Sequence, residues 1–182
     1  IEDGIRVFPR ARPVKMFRIF RNRFQSVREI FSEIGKYNLL LSIFGKDYIA
    51  TSEEFIVDYI HNGRSKILLC GLQEFVPGEI LDPWKVANSD SLNQICKLLA
   101  YHHPDPNPFM TKVLDRLERF CSKTRTMISN HGYIPDLAGI GNLVLTPDGR
   151  LKLVDINNIV PVSHDRQIPL DDRGYPACDV SI

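Results

Sequence analysis

No apolar run in this chain approaches the roughly 18–20 residues that a membrane-spanning helix needs; the longest, around Leu39–Phe44, is far too short. Neither sign of charge dominates. Lys and Arg total 23 against 22 Asp and Glu, a formal net charge of +1 that excludes a wholesale polyanion binder but allows a local basic face. Cysteine is sparse: Cys70, Cys96, Cys121 and Cys178 are widely spaced with no C-x-x-C. That spacing argues against a secreted disulfide framework and for reduced thiols in a cytoplasmic setting. A zinc site has little to build on, because His102-His103 has only Cys96 as a nearby thiol. No charged-then-apolar leader with a small-residue cleavage site opens the chain. Internal repeats and low-complexity tracts are also absent. No Gly-x-Ser-x-Gly accompanies His131 or His164, which leaves Ser-His-Asp hydrolysis without a signature.

What remains is an ordinary globular composition, 43% apolar and 25% charged over 182 residues, enough for one domain or two small lobes. Val14-Lys15-Met16-Phe17-Arg18-Ile19 alternates apolar and basic residues and predicts a half-buried strand. Ser26-Val27-Arg28-Glu29 is a capping box. It predicts a helix to about Phe44, with Val27, Ile30, Phe31 and Ile34 as its apolar stripe and Gly45 as its stop. Two β-rich runs, Glu54–Ile60 and Lys66–Leu72, flank Asn62-Gly63 and predict an antiparallel hairpin. Phe75-Val76-Pro77-Gly78 breaks that strand and marks a lobe boundary. Beyond it come a short helix over Asp90–Tyr101, a connector stiffened by Pro104, Pro106 and Pro108, and a long amphipathic helix over Thr111–Asn130. A loop, Gly132–Gly141, leads to a second hairpin, Asn142–Leu145 and Arg150–Val154, turned at Thr146-Pro147-Asp148-Gly149. The pattern is α+β, with β-rich residues 1–76 followed by mainly helical residues 77–182.

Chemistry concentrates around that second hairpin. Asp136 lies in the loop before it, Asn142 opens its first strand and Asp155 follows its second. A tight hairpin returns the chain to its starting end, so the three side chains are expected to converge. Two carboxylates and an amide oxygen suit Mg²⁺, a hard cation that prefers oxygen ligands.

The stretch Tyr133–Leu145 followed by Leu151–Asp155 resembles the catalytic and metal-binding loops of the protein-kinase-like superfamily, where a catalytic Asp precedes a metal-binding Asn and a hairpin leads to a second metal-binding Asp. The resemblance implies a two-lobed kinase-like fold, with a small β-rich N-lobe and a mainly helical C-lobe. It further implies ATP and Mg²⁺ as cofactors, with Asn142 and Asp155 holding the metal. Gln73, Glu74, Phe75 and Val76 look like the hinge that pairs with adenine. Lys15 looks like the lysine that holds the α- and β-phosphates. Its carboxylate partner would come from the following helix. Glu29 is occupied by the capping box, so Glu33, eighteen residues beyond Lys15, is the candidate. Asp179-Val180-Ser181 is similar to the start of the helix after the activation segment. The order of these elements carries the resemblance over residues 12–182.

The implied activity is transfer of the γ-phosphoryl group of ATP to a hydroxyl acceptor of unspecified class, small molecule, saccharide or protein, with Asp136 orienting and deprotonating that hydroxyl. Several departures point to a divergent bacterial branch, related to small-molecule and lipopolysaccharide-type kinases. Five residues separate Asp136 from Asn142 where the family usually has four, so Gly139 or Gly141 must absorb an insertion. Ile134-Pro135 replaces the usual His-Arg, and Asp155-Ile156-Asn157 lacks the Phe and Gly of D-F-G. Only Gly4 precedes Lys15, too little for a glycine-rich phosphate loop. Ile1 and Ile182 are accordingly expected to be boundaries within a longer protein. The same departures favour the alternative reading, a catalytically inactive kinase-like binding scaffold. The basic, aromatic stretch Phe17–Phe24 raises nucleic-acid or acidic-membrane binding, but its aromatics are spaced for packing rather than base stacking.

Overall fold

The computed structural model describes residues 12–20, 24–82, 89–100, 106–137 and 139–162. His102, His103, Pro104, His164, Cys178 and Asp179-Val180-Ser181 lie outside them. The fold is mixed α and β. In chain order it runs β1 (Lys15–Ile19), α1 (Val27–Phe44), β2 (Ser52–His61), β3 (Arg64–Glu74), β4 (Glu79–Leu81), α2 (Ser89–Ala100), α3 (Pro106–His131), β5 (Tyr133–Pro135), β6 (Leu143–Leu145), β7 (Leu151–Leu153) and β8 (Ile159–Pro161).

The first sheet has strand order β1-β3-β2, antiparallel throughout, so β3 is its central strand. The β2–β3 hairpin turns where its sequence demands. Asn62 and Gly63 both take positive φ, 50° and 71°, as a two-residue turn matched to strand twist requires. In register, Arg18, Gly71 and Glu54 form one rung, and Met16, Gln73 and Ser52 form the next rung on the same face. A second sheet, β4-β6-β7, and the β5-β8 pair complete the β structure among the described residues.

Helix α1 starts at Ser26, whose hydroxyl accepts from the Glu29 N–H at 3.4 Å, while the Glu29 carboxylate accepts from Gln25 N–H at 2.8 Å. Gly45, at φ 77°, ends it. The expected stripe is corrected. Ile30 is buried and Ile34 half-buried, but Val27 and Phe31 are exposed, and the buried face continues through Tyr37, Leu40 and Phe44. Ile30, Ile34 and Tyr37 follow one helical stripe, from which Phe31 is turned away by about 100°. At the C-terminal end of α1, Phe44 tilts against Phe120 of α3 at 5.1 Å between centroids. A single apolar cluster joins Tyr37, Leu40 and Phe44 to Val113, Phe120 and Met127 of α3 and to Leu145, Leu151 and Leu153 of the second hairpin. Each fully buried side chain of this size contributes about 1.5–3 kcal/mol.

The long helix also starts earlier than its periodicity indicates. Pro106 and Pro108 sit inside its first turn, where a missing N–H costs nothing, instead of forming a connector. The chain that links α1 to β2 lies along β7: Leu153 N–H donates to Tyr48 carbonyl at 2.8 Å and Ala50 N–H to Leu153 carbonyl at 3.0 Å. Beyond β3, Gly78 is held at φ 156° with its α-carbon so near β6 that an added Cβ would sit 2.3 Å from the Leu145 carbonyl oxygen. Among the described residues no helix is long and apolar enough to cross a membrane.

Candidate functional site

The β6–β7 hairpin brings its two ends together, and one further backbone bond, Val154 N–H to Asn142 carbonyl at 2.8 Å, extends the pairing past both strands. Asn142 and Asp155 are thereby set side by side. Asn142 is buried, and its amide nitrogen donates to the Asp136 carbonyl at 2.9 Å. Asp136 is fixed from two further directions. Its N–H donates to the Asn158 carbonyl at 2.9 Å, and its Oδ1 accepts from Gly139 N–H at 3.1 Å. Both loop glycines are used. A Cβ on Gly139 would fall 2.3 Å from Asn142 Nδ2, and Gly141 takes φ 94°.

Asn158 bridges the two carboxylates. Its Nδ2 lies 3.5 Å from Asp136 Oδ2 and 3.4 Å from Asp155 Oδ2, both long for hydrogen bonds. Burial pushes the Asp155 carboxyl above its ordinary value, and the Asp136 charge pushes the same way; the Asn157 N–H and the Arg18 charge oppose them. Asp136, Asn142 and Asp155 are thus brought together, and the fit to a hard cation can be judged from their atoms. Two neighbouring carboxylates, one of them resisting ionisation, together with amide oxygens, form an oxygen-donor set that positive charge would relieve. Among the described residues no group of three or more His, Cys, Asp and Glu side chains is disposed to hold a metal.

Lys15 and Glu33 are not brought together. Lys15 is exposed and paired with Glu53, two strands away on the outer face of the sheet. Glu33 is paired with Lys36, one turn along α1, at 2.7 Å. The expected ion pair fails because strand geometry turns Lys15 away from the hairpin. Residues three apart on a strand face opposite ways, and the cation that faces the site is Arg18.

Arg18 donates from Nη2 to Asn157 Oδ1 at 3.0 Å and to Glu54 Oε1 at 3.3 Å, with its guanidinium 5.3 Å from the centroid of the Phe20 ring. Burial lowers its pKa, against the charges of Glu54 and Asp155. The Glu54 side chain is only 6% exposed, and it fits because Gly71 separates the two. A Cβ on Gly71 would lie 2.7 Å from Glu54 Oε2 and 2.8 Å from Ser52 Oγ. Tyr37 backs the neighbouring rung, its hydroxyl accepting from Ser52 N–H at 2.9 Å.

The four hinge candidates are in different environments. Gln73 is fully buried and donates to the Val154 carbonyl at 2.6 Å. Glu74 accepts from buried Lys152 through both oxygens at 2.7 Å and from Thr51 N–H at 3.2 Å. Phe75 is exposed and its N–H donates to the Val14 carbonyl at 3.0 Å; Val76 is half-buried. A cavity of about 10 Å³, room for one water, lies between Glu54, Tyr37, Phe20 and Asn157. A larger cleft of about 400 Å³ opens elsewhere, between Lys15, Lys46, Leu41 and Thr51.

Arg18, Glu54, Gly71, Asn157 and Asn158 are site residues that the sequence reading missed. One signal was available: a glycine inside a strand, Gly71, marks a close approach. No protein family, curated protein or solved structure matches the chain.

Proposed function

We propose that this chain is the nucleotide-facing part of a divergent phosphotransferase resembling the protein-kinase-like superfamily, and that it transfers the γ-phosphoryl group of ATP to a hydroxyl acceptor with Mg²⁺. The observation that carries the reading is the convergence of Asp136, Asn142 and Asp155 at one end of the β6–β7 hairpin. The order of elements supports it. A strand and, after a helix, a hairpin form the first sheet; two helices follow later in the chain, and the acidic loop and second hairpin come after them. Free thiols at Cys70, Cys96 and Cys121 accord with the reducing cytoplasm in which ATP is supplied.

Asp136 is the proton acceptor. Gly139 N–H holds one carboxylate oxygen in place, and the other points toward Asn158 and Asp155. The acceptor oxygen forms a bond to the γ-phosphorus as the bond to the β,γ-bridging oxygen breaks; the hydroxyl proton passes to Asp136, and ADP leaves. Asn142 and Asp155 would hold Mg²⁺, which supplies charge neutralisation at the phosphate oxygens. Asn158 Nδ2 stands between the two carboxylates, with Asp136 in the role of base and Asp155 in that of ligand. The rate gain comes from placement and charge, with no covalent intermediate on the protein.

A second reading, a kinase-like scaffold without turnover, is favoured by one observation: Lys15 and Glu33 are engaged with other partners. Mg-ATP binding, followed by thermal shift beside a turnover assay, separates the two for the wild type and Asp155→Ala. Binding with turnover that Asp155→Ala abolishes supports the enzyme. Binding without turnover in the wild type supports the scaffold, and no binding sinks both.

A further inference from the structure

We propose that Arg18 and Gln73 form a two-point clamp by which the first sheet positions the Asp155 loop, making both of them positioning residues. The proposal rests on the functional reading only for the importance of Asp155. The geometry itself is independent of it.

The loop runs from Val154 to Asn158. Gln73 holds its near end through the Val154 carbonyl at 2.6 Å, and Arg18 holds its far end through Asn157 Oδ1 at 3.0 Å. Asp155 lies between the two tethers, and its own Oδ1 accepts from Asn157 N–H at 3.3 Å. Both tethers come from adjacent rungs on one face of the sheet, the Arg18–Gly71–Glu54 rung and the Met16–Gln73–Ser52 rung. A guanidinium is a planar donor with little freedom once one edge is fixed. Glu54 fixes that edge, and the missing Cβ of Gly71 gives Glu54 its place.

This face is costly, and stability alone does not account for it. Arg18 Nε, Glu54 Oε2, Ser52 Oγ and Gln73 Oε1 are all buried without a protein hydrogen-bond partner among the described residues. Unpaired buried groups of this kind work against folding, and packed apolar side chains of similar volume would be favoured. The polar groups stand instead where they reach the loop. Their net effect is to select one position for Asp155 among those a short loop of this length can adopt.

Amide hydrogen exchange on the ligand-free protein tests the clamp directly. The reporters are Asn157 N–H, and Asp136 N–H, which is bonded to the Asn158 carbonyl. Arg18→Gln should raise exchange at both by about tenfold, with the β2–β3 hairpin amides unchanged, and Arg18→Lys should restore part of the protection. Asn157→Ala cuts the same tether from the half-buried loop side, without altering the sheet, and should reproduce the effect. The double variant should add nothing further. In Mg-ATP titrations, the Mg²⁺ concentration at half-saturation should rise by a similar factor in both variants. Unchanged loop exchange in Asn157→Ala overturns the clamp, whatever Arg18→Gln does to folding. Wild-type protein that binds no Mg-ATP sinks the functional reading instead, and the exchange result still decides the clamp.

Discussion

Gln73 Nε2 donates to the Val154 carbonyl at 2.6 Å, joining the end of the central strand to the residue before Asp155. Gln73 is fully buried, and its amide, with the Glu74–Lys152 pair beside it, ties β3 to the second hairpin. Gln73→Leu keeps the volume but leaves the Val154 carbonyl without this donor. The expected loss is about 1–3 kcal/mol of stability, read as a lower urea midpoint with an unchanged m-value.

Gly71→Ala would place a methyl group against the Glu54 carboxylate, 2.7 and 3.0 Å from its two oxygens. Glu54 can swing aside only by leaving Arg18. A loss of about 1–3 kcal/mol is expected in the wild-type background. In Glu54→Ala, where the carboxylate is gone, the same substitution should cost clearly less. Equal costs in the two backgrounds would show that Gly71 and Glu54 do not interact.

The Glu74 carboxyl supplies a pH signature. Burial pushes it up, but hydrogen bonds from Lys152 and Thr51 and the Lys152 charge outweigh burial and hold it below its ordinary value. A depressed carboxylate binds fewer protons folded than unfolded. Its contribution is therefore fully present above the unfolded value, about 4.3 for Glu, and is lost as the pH falls through the folded one. At pH 7, Glu74→Gln should cost about 1–3 kcal/mol, less than for a fully buried pair because Glu74 is itself 35% exposed. The variant should converge on the wild type in denaturation series carried to about pH 3. A gap that stays constant with pH would remove the ion pair as its cause.

Lys15→Gln should change little. Its partner Glu53 is exposed on the outer face of the sheet, and such pairs contribute about 0–1 kcal/mol. Mg-ATP affinity should stay within about twofold of the wild type, which at about 0.4 kcal/mol lies inside the range for a surface pair. A large loss would return Lys15 to the phosphate-binding role that the resemblance implies.

Much of the framework was legible because it is locally encoded. Asn62-Gly63 specified the first hairpin, Ser26 and Gly45 bounded α1, and Thr146–Gly149 turned the second hairpin. The meeting of Asp136, Asn142 and Asp155 followed from hairpin arithmetic alone. The facing cation was not legible, since Lys15 and Arg18 sit in the same alternating strand and only the sheet's orientation decides which one turns inward. Glu54 was hidden for a related reason. Its partner lies across a central strand, and cross-strand neighbours leave no trace in linear spacing. Phe31 misled because apolar residues at adjacent positions point about 100° apart on a helix, and only the Ile30–Ile34–Tyr37 line faces the core.

The tether between Arg18 and Asn157 spans 139 residues, and that between Gln73 and Val154 spans 81. Closing loops of such length is entropically expensive, whereas the β2–β3 hairpin needs only its own turn. The hairpin can therefore form early in folding, and the acidic loop can be seated only after both halves have collapsed onto each other. Substitutions at these tethers should then speed unfolding far more than they slow refolding. The lifetime of the folded chain, more than its speed of refolding, would then carry the effect of the two tethers.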